Sequence, residues 1–289
     1  MYNKKLFAYS LLAPAMLLSL LLIMYPFFNG IWLSFQQKNL IAGTVKFIGF
    51  KNFMYLFGKS EYRIAFWNTC QWTIGSVFLQ HLVALPIALL LNQKIKFRFL
   101  FRGMFIIPWV CPVVVFALLW QWLYNDIYGL INWLLMELHL IDDPILWLGS
   151  RKTAMLAAIV ANTWRGFAIP MVTILAALQM IPQDLYEAAK IDGASWWYEF
   201  WHITMPFLKG PMMVTSLLVS IWTFNNFGTM YLLTRGGPVN ATKTLAILTY
   251  ETSFIGLRMG RGAAITVTMM IVLLTLASAY IYRRKHEEF

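Results

Sequence analysis

The chain has 289 residues, of which 60% are hydrophobic and 12% charged, and its mean hydropathy is +0.64. A soluble domain of this length carries about twice that share of charge, so composition excludes an ordinary globular enzyme or binding module. The net charge of +11 does not point to nucleic acid either, because the basic residues are scattered over segments that flank apolar stretches and form no single patch.

In chain order, the pattern predicts an all-α polytopic membrane protein with six spans at 6–33, 64–91, 103–124, 153–180, 207–233 and 262–282. A closed barrel would need alternating ten-residue segments, which are absent. Lys4 and Lys5 before the first apolar run give it the look of a signal peptide. That run continues past Tyr25 without a small-x-small cleavage site, so it is expected to stay as a span. Pro14, Pro86, Pro108, Pro112 and Pro170 fall inside spans and predict kinks. Residues 125–151 should form an outer loop with a short surface helix at 130–138, and residues 234–261 a second loop opening on Gly236-Gly237-Pro238. The domain reading is a first span and outer loop at 1–62, then a five-helix transmembrane domain at 63–289 carrying a polar loop at 181–206.

Basic residues divide evenly between the two sides of this topology, so their number decides nothing. Their density does. Lys94, Lys96, Arg98 and Arg102 crowd one short loop and Arg283-Arg284-Lys285 the tail, which places both termini inside.

Much chemistry is missing. No phosphate-binding loop, zinc-type spacing or calcium-loop pattern occurs, and His81, His139, His202 and His286 are dispersed. Cys70 and Cys111 lie in apolar spans and suggest no disulfide. His81 and its neighbour Gln80 read as polar groups bonded between helices. No Asp or Glu lies in a predicted span, which argues against an ion-coupled transporter. A membrane transferase would cluster catalytic residues near an interface, where this chain offers the pair Asp142-Asp143.

Two regions do carry chemistry. In the loop at 181–206, Pro182 suits a helix start, Asp184 complements its positive end, Gly193 stops it as a left-handed cap and Ser195 caps the next helix. The expectation is two short helices about a glycine elbow. Within the spans, Arg165 is the one deeply placed charge, and it should face the bundle interior or a wet cavity. Asn162, Arg165, Gly166 and Ile169 share one helical face through i, i+3, i+4, i+7 spacing. Trp222, Thr223 and Asn226 are expected to share another, with Asn225 adjacent. An aromatic face beside amides suits a sugar ring and its hydroxyls, although such residues also serve as glue between membrane helices.

The order Glu187-Ala188-Ala189, Asp192-Gly193-Ala194 and Ile203-Thr204-Met205-Pro206 resembles the Glu-Ala-Ala loop of binding-protein-dependent ABC importers. Met24-Tyr25-Pro26, the segment from Phe47 to Phe53, Asn162-Thr163-Trp164-Arg165-Gly166 and Arg235-Gly236-Gly237-Pro238 with Thr242 and Thr244 are similar to the carbohydrate branch, the maltose-type first permease subunits. The resemblance implies a type I ABC importer permease fold in a bacterial or archaeal cytoplasmic membrane. It implies a second homologous permease, two ATPase subunits that bind ATP and magnesium, an extracytoplasmic solute-binding protein and a carbohydrate substrate, with no cofactor in this chain. It assigns Glu187, Ala188, Ala189, Asp192 and Gly193 to ATPase coupling. A midplane sugar site falls at the positions of Gly166, Ile169, Trp222, Thr223 and Asn226, where Ile169 and Trp222 replace other aromatics and Thr223 an amide. The same machinery for a sugar phosphate or polyol is the alternative.

Overall fold

The computed structural model describes residues 4–38, 43–93 and 95–287; Lys94, used in the orientation argument, lies outside them. In chain order, helix α1 (4–34) leads into strands β1 (Gln36–Lys38) and β2 (Val45–Phe47) and helices α2 (Lys51–Phe57) and α3 (Ser60–Asn92). Helices α4 (Arg98–Val110), α5 (Val113–Leu123), α6 (Leu130–Glu137), α7 (Ala154–Gly166) and α8 (Ala168–Gln179) follow. The chain ends with α9 (Gln183–Ile191), α10 (Trp196–Phe224), α11 (Phe227–Thr234), α12 (Leu245–Ile255) and α13 (Met259–Glu287). Four of these are long and apolar enough to cross a membrane, and six spans result if each bent pair counts as one.

Two compact units form, Met1–Arg63 with Leu248–Thr275 and Ile64–Ile247 with Leu276–Phe289. In the first, α1 carries a π-turn at Leu20–Met24, closed by the Tyr25 N–H donating to the Leu20 carbonyl. Pro26 follows at once. A proline lacks the N–H and crowds the carbonyl four residues back, so one extra residue in the preceding turn relieves both faults. The same device recurs at Phe200–Thr204 before Pro206. The β1–β2 hairpin, antiparallel with Gln37 opposite Lys46, is a small departure from the all-helical expectation. Asn52 ties it down, its Nδ2 donating to the Ser34 carbonyl at 2.8 Å and the Gln36 carbonyl at 2.9 Å. Gly260 meets the Gln36 carbonyl so closely that no Cβ fits there.

The second unit has two apolar clusters. One gathers Trp72, Phe116, Trp120 and Met230 around Ala157, Ala158 and Ala161 of α7, whose small side chains let helices approach. The other joins Ala84 and Ala88 of α3 to Met171 and Ile174 of α8 and Leu208 of α10. The predicted fourth span is thus two helices, bent 46° at Phe167, each feeding its own cluster.

Two other expectations need correction. The third span is not one helix: α4 and α5 meet at 94°, because Cys111 and Pro112 adopt extended backbone (ψ 126° and 137°) where the proline restricts its predecessor and cannot continue the ladder. The fifth span stops early, at Phe224, and the loop at 234–261 contains α12. The outer loop at 125–151 does hold a short helix, α6.

Candidate functional site

The break after α10 shapes the first site. Asn225 is the C-cap of α10 and Asn226 the N-cap of α11, its Oδ1 accepting the Thr229 N–H at 3.0 Å. An Asn that caps the next helix offers the backbone an alternative to continuing the first one. The carbonyl of Thr223 at the broken end accepts the Trp72 indole N–H from α3 at 3.0 Å, so the break is satisfied and held. Trp222, Thr223 and Asn226 therefore do not share one continuous helical face. They converge because the chain turns between them.

They converge on a cavity of about 110 Å³. From α7 and the turn into α8 come Asn162, Arg165, Gly166 and Ile169. From the end of α10 come Val219, Trp222 and Thr223, with Asn226 beyond the break. Asn225 is not among the lining residues. Its Nδ2 donates back to the Ile221 carbonyl at 2.9 Å, which turns the amide along its own helix. Sequence reasoning missed Gln80 of α3 and Trp109 of α4, both in the wall. A glutamine in an apolar span gives the same signal whether it bonds a helix or a ligand. Trp109 is indistinguishable from a lipid-facing aromatic until the bend beside it is known.

The electrostatics of the cavity are one-sided. Among the described residues its lining holds a guanidinium, three amides and a hydroxyl but no carboxylate. Arg165 sits with its guanidinium carbon 5.8 Å from the centroid of Phe116, whose ring stacks with Trp164. This cation–π contact helps place the charge while leaving its buried Nε without a hydrogen-bond partner. Gly166 leaves the room that the Gln80 amide fills: a Cβ there would lie within 2.7 Å of Oε1 and push the amide aside.

The second site is the elbow. Helix α9 ends in a Schellman arrangement, Gly193 N–H to the Lys190 carbonyl at 3.1 Å and Ala194 N–H to the Ala189 carbonyl at 2.9 Å. Gly193 has φ +77°, and nothing lies within 4 Å of where a Cβ would stand, so backbone conformation and not space demands glycine. Ser195 caps the next helix, its Oγ accepting the Tyr198 N–H at 3.4 Å. That helix is not short, however: it runs through the π-turn before Pro206 into the fifth span as α10. Glu187, Ala188, Asp192 and Gly193 are exposed and Ala189 half-buried. Tyr186, which the sequence did not single out, contacts Thr204 Oγ1 at 2.9 Å through its hydroxyl and ties α9 to α10.

Helices long and apolar enough to cross a membrane thus surround a cavity with polar lining groups, and a polar elbow lies exposed on them. The chain belongs to the family of binding-protein-dependent transport system inner membrane components, which its residues 82–285 match. It is a permease subunit of the ABC importer class, a transport component of the inner membrane and not an enzyme. Over 280 residues it is 32% identical to a trehalose/maltose transport system permease protein of Thermococcus litoralis, covering 97% of this chain and 94% of that one. It is 34% identical to an arabinooligosaccharides transport system permease protein of Bacillus subtilis, covering 96% and 88%. Its fold matches a crystal structure of a bacterial ABC transporter involved in import of the acidic polysaccharide alginate, with TM-score 0.83 at 21% identity over 98% of this chain and 96% of that one.

Proposed function

We propose that this permease moves a carbohydrate, an oligosaccharide or glycoside, inward by alternating access. The observation that carries the reading is the cavity, where two indoles offer flat apolar faces to sugar C–H groups and amides of Gln80, Asn162 and Asn226 lie within reach of hydroxyls. The relatives named for trehalose, maltose and arabinooligosaccharides agree with it. At about 110 Å³ the cavity is well below the roughly 300–1,000 Å³ of complete ligand sites, and Trp109 and Trp222 are about half exposed. A second, homologous permease subunit therefore completes the site, and this chain supplies one wall. Two ATPase subunits dock on the elbow through Glu187, Ala188, Ala189, Asp192 and Gly193, and a solute-binding protein delivers substrate on the other side. The elbow and both termini then lie in the cytoplasm, so cysteines at 96 and 286 label only from inside and cysteines at 143 and 240 only from outside. Labelling of 96 and 143 from one side breaks the topology.

The direct test is reconstitution of the complex encoded by this gene and its neighbours in proteoliposomes. Uptake of maltose, trehalose or arabinotriose that depends on ATP and binding protein is expected. Uptake of an amino acid with none of these sugars moved overturns the reading. The unpartnered Nε of Arg165 favours one variant of it, a sugar phosphate, which competition by glucose 6-phosphate in the same assay would reveal.

A further inference from the structure

Gln80 is 2% exposed, in the middle of α3, and its amide is only half used. Nε2 donates to the Asn162 carbonyl at 3.4 Å, a long bond, while Oε1 is shut off from solvent and has no partner. An amide oxygen left unsatisfied in a buried place is destabilising, and buried polar groups in folded proteins are nearly always paired. Helix glue explains Nε2 but not Oε1. A residue kept only for packing there would be better served by an apolar side chain of the same length.

The surroundings hold the amide in place. Gly166, with no side chain, makes the room the amide fills, and the Asn162 carbonyl orients its N–H end. The same group borders the cavity that Arg165 and Trp222 line. The donors lining that cavity, the guanidinium and the amide N–H groups, can bond sugar oxygens as acceptors. A hydroxyl must also donate its own proton, and Oε1, unpartnered within the protein, is an acceptor that a small rotation of the amide presents to the cavity.

We infer that Gln80 is a specificity-determining residue of the transport site, its Oε1 accepting a hydrogen bond from one hydroxyl of the passing saccharide, with Gly166 and the Asn162 carbonyl as the groups that position it. This rests on the carbohydrate reading above. It gives α3 a polar role in the wall that α4, α7, α8, α10 and Asn226 also line, and it makes the site sensitive to the presence of a single hydroxyl.

The test uses the complete reconstituted transporter with whichever of maltose, trehalose and arabinotriose the unaltered complex moves, together with the monodeoxy analogues of that sugar. Gln80→Met keeps the length and removes the acceptor. Gln80→Glu keeps an acceptor oxygen at the same reach. Uptake per assembled complex should fall roughly 2- to 12-fold in the Gln80→Met complex, the range for one lost neutral hydrogen bond, and recover in the Gln80→Glu complex. One deoxy analogue should be disfavoured by the unaltered complex yet treated like the parent sugar by the Gln80→Met complex, because the bond it lacks is already gone. Equal losses for the parent and every analogue, or a loss seen only in the amount of assembled complex, overturn the inference and leave Gln80 as packing. If the unaltered complex moves none of the three sugars, the carbohydrate reading fails and this inference falls with it.

Discussion

The elbow and the cavity are both polar interruptions in an apolar chain, yet they are built in opposite ways. The turn of the elbow is made by bonds between residues no more than five apart, such as Ala194 to Ala189, with the Tyr186–Thr204 bond bracing its two helices, and Glu187 and Asp192 are left exposed. The cavity is closed by bonds that span the sequence, Trp72 to Thr223 and Gln80 to Asn162, and it buries Gln80, Asn162 and Thr223 while Trp109 and Trp222 stay about half exposed. A local device can move as a unit against a partner without disturbing the bundle. A long-range one cannot change a side chain without moving a neighbouring helix. That division suits a transporter, in which one part must transmit motion and another must hold a shape.

The two glycines sharpen the contrast most. At Gly166 the constraint is steric, since a Cβ would force the Gln80 amide to swing aside and lose its bond to the Asn162 carbonyl. At Gly193 the constraint is torsional, since φ is +77° and the space is open. Asparagine separates the cases because it tolerates the left-handed region. Gly166→Asn should cause the largest loss of assembled complex on size-exclusion chromatography, with Gln80→Ala as a second change restoring much of it. Gly193→Asn should assemble and transport nearly normally. Gly193→Val, strained by about 1–2 kcal/mol, should assemble but lose uptake and binding-protein-stimulated ATP hydrolysis together, by roughly 5- to 30-fold. If Gly193→Asn were as damaging as Gly193→Val, the elbow would depend on something other than its backbone turn.

Asn226 stands next in size and joins the two kinds of construction, because it caps α11 locally while bordering the cavity. Removing the cap costs about 0.5–2 kcal/mol, so Asn226→Ala should lower both the thermal midpoint of the complex and its uptake. Asn226→Ser preserves a capping oxygen and removes the amide N–H. A normal midpoint with reduced uptake per complex assigns Nδ2 to the substrate. Normal values for both leave Asn226 as a cap alone.

How far each region could be read from sequence follows the same division. Gly193 and Ser195 announced themselves because caps depend on a few neighbouring residues and have known residue preferences. The apolar stretches were equally plain. What stayed hidden was where helices break. Nothing in the hydrophobic pattern separates the 94° turn at Cys111–Pro112 from the milder bends expected at other prolines, and only the bonds of Trp72 and Thr229 explain why α10 stops at Phe224. Missing that stop set Asn225 beside the face of Trp222 and Asn226, whereas its bond to Ile221 turns it along its own helix and away from the cavity lining. Gln80 was read as bonded between helices, which its bond to Asn162 bears out, but its place in the cavity wall depends on a glycine 86 positions away, a contact no local pattern records.

The smallest expected effect is at Ser195, and it tests whether the elbow is geometry alone. Its Oγ lies 3.4 Å from the Tyr198 N–H, at the long limit of a hydrogen bond, and the residue is exposed, so water can replace the oxygen. The helix it caps also continues into the fifth span, whose burial against α8 holds the first turn from beyond. Ser195→Ala should therefore cost no more than about 0.5 kcal/mol, the low end for capping residues, and leave uptake and stimulated ATP hydrolysis within about twofold of the unaltered complex. A larger uncoupling, with assembly intact, would mean that the hydroxyl itself meets the ATPase. The contact surface would then extend past Gly193 onto the start of α10, and the aromatic residues Trp196 and Trp197, both more than half exposed, would fall within it.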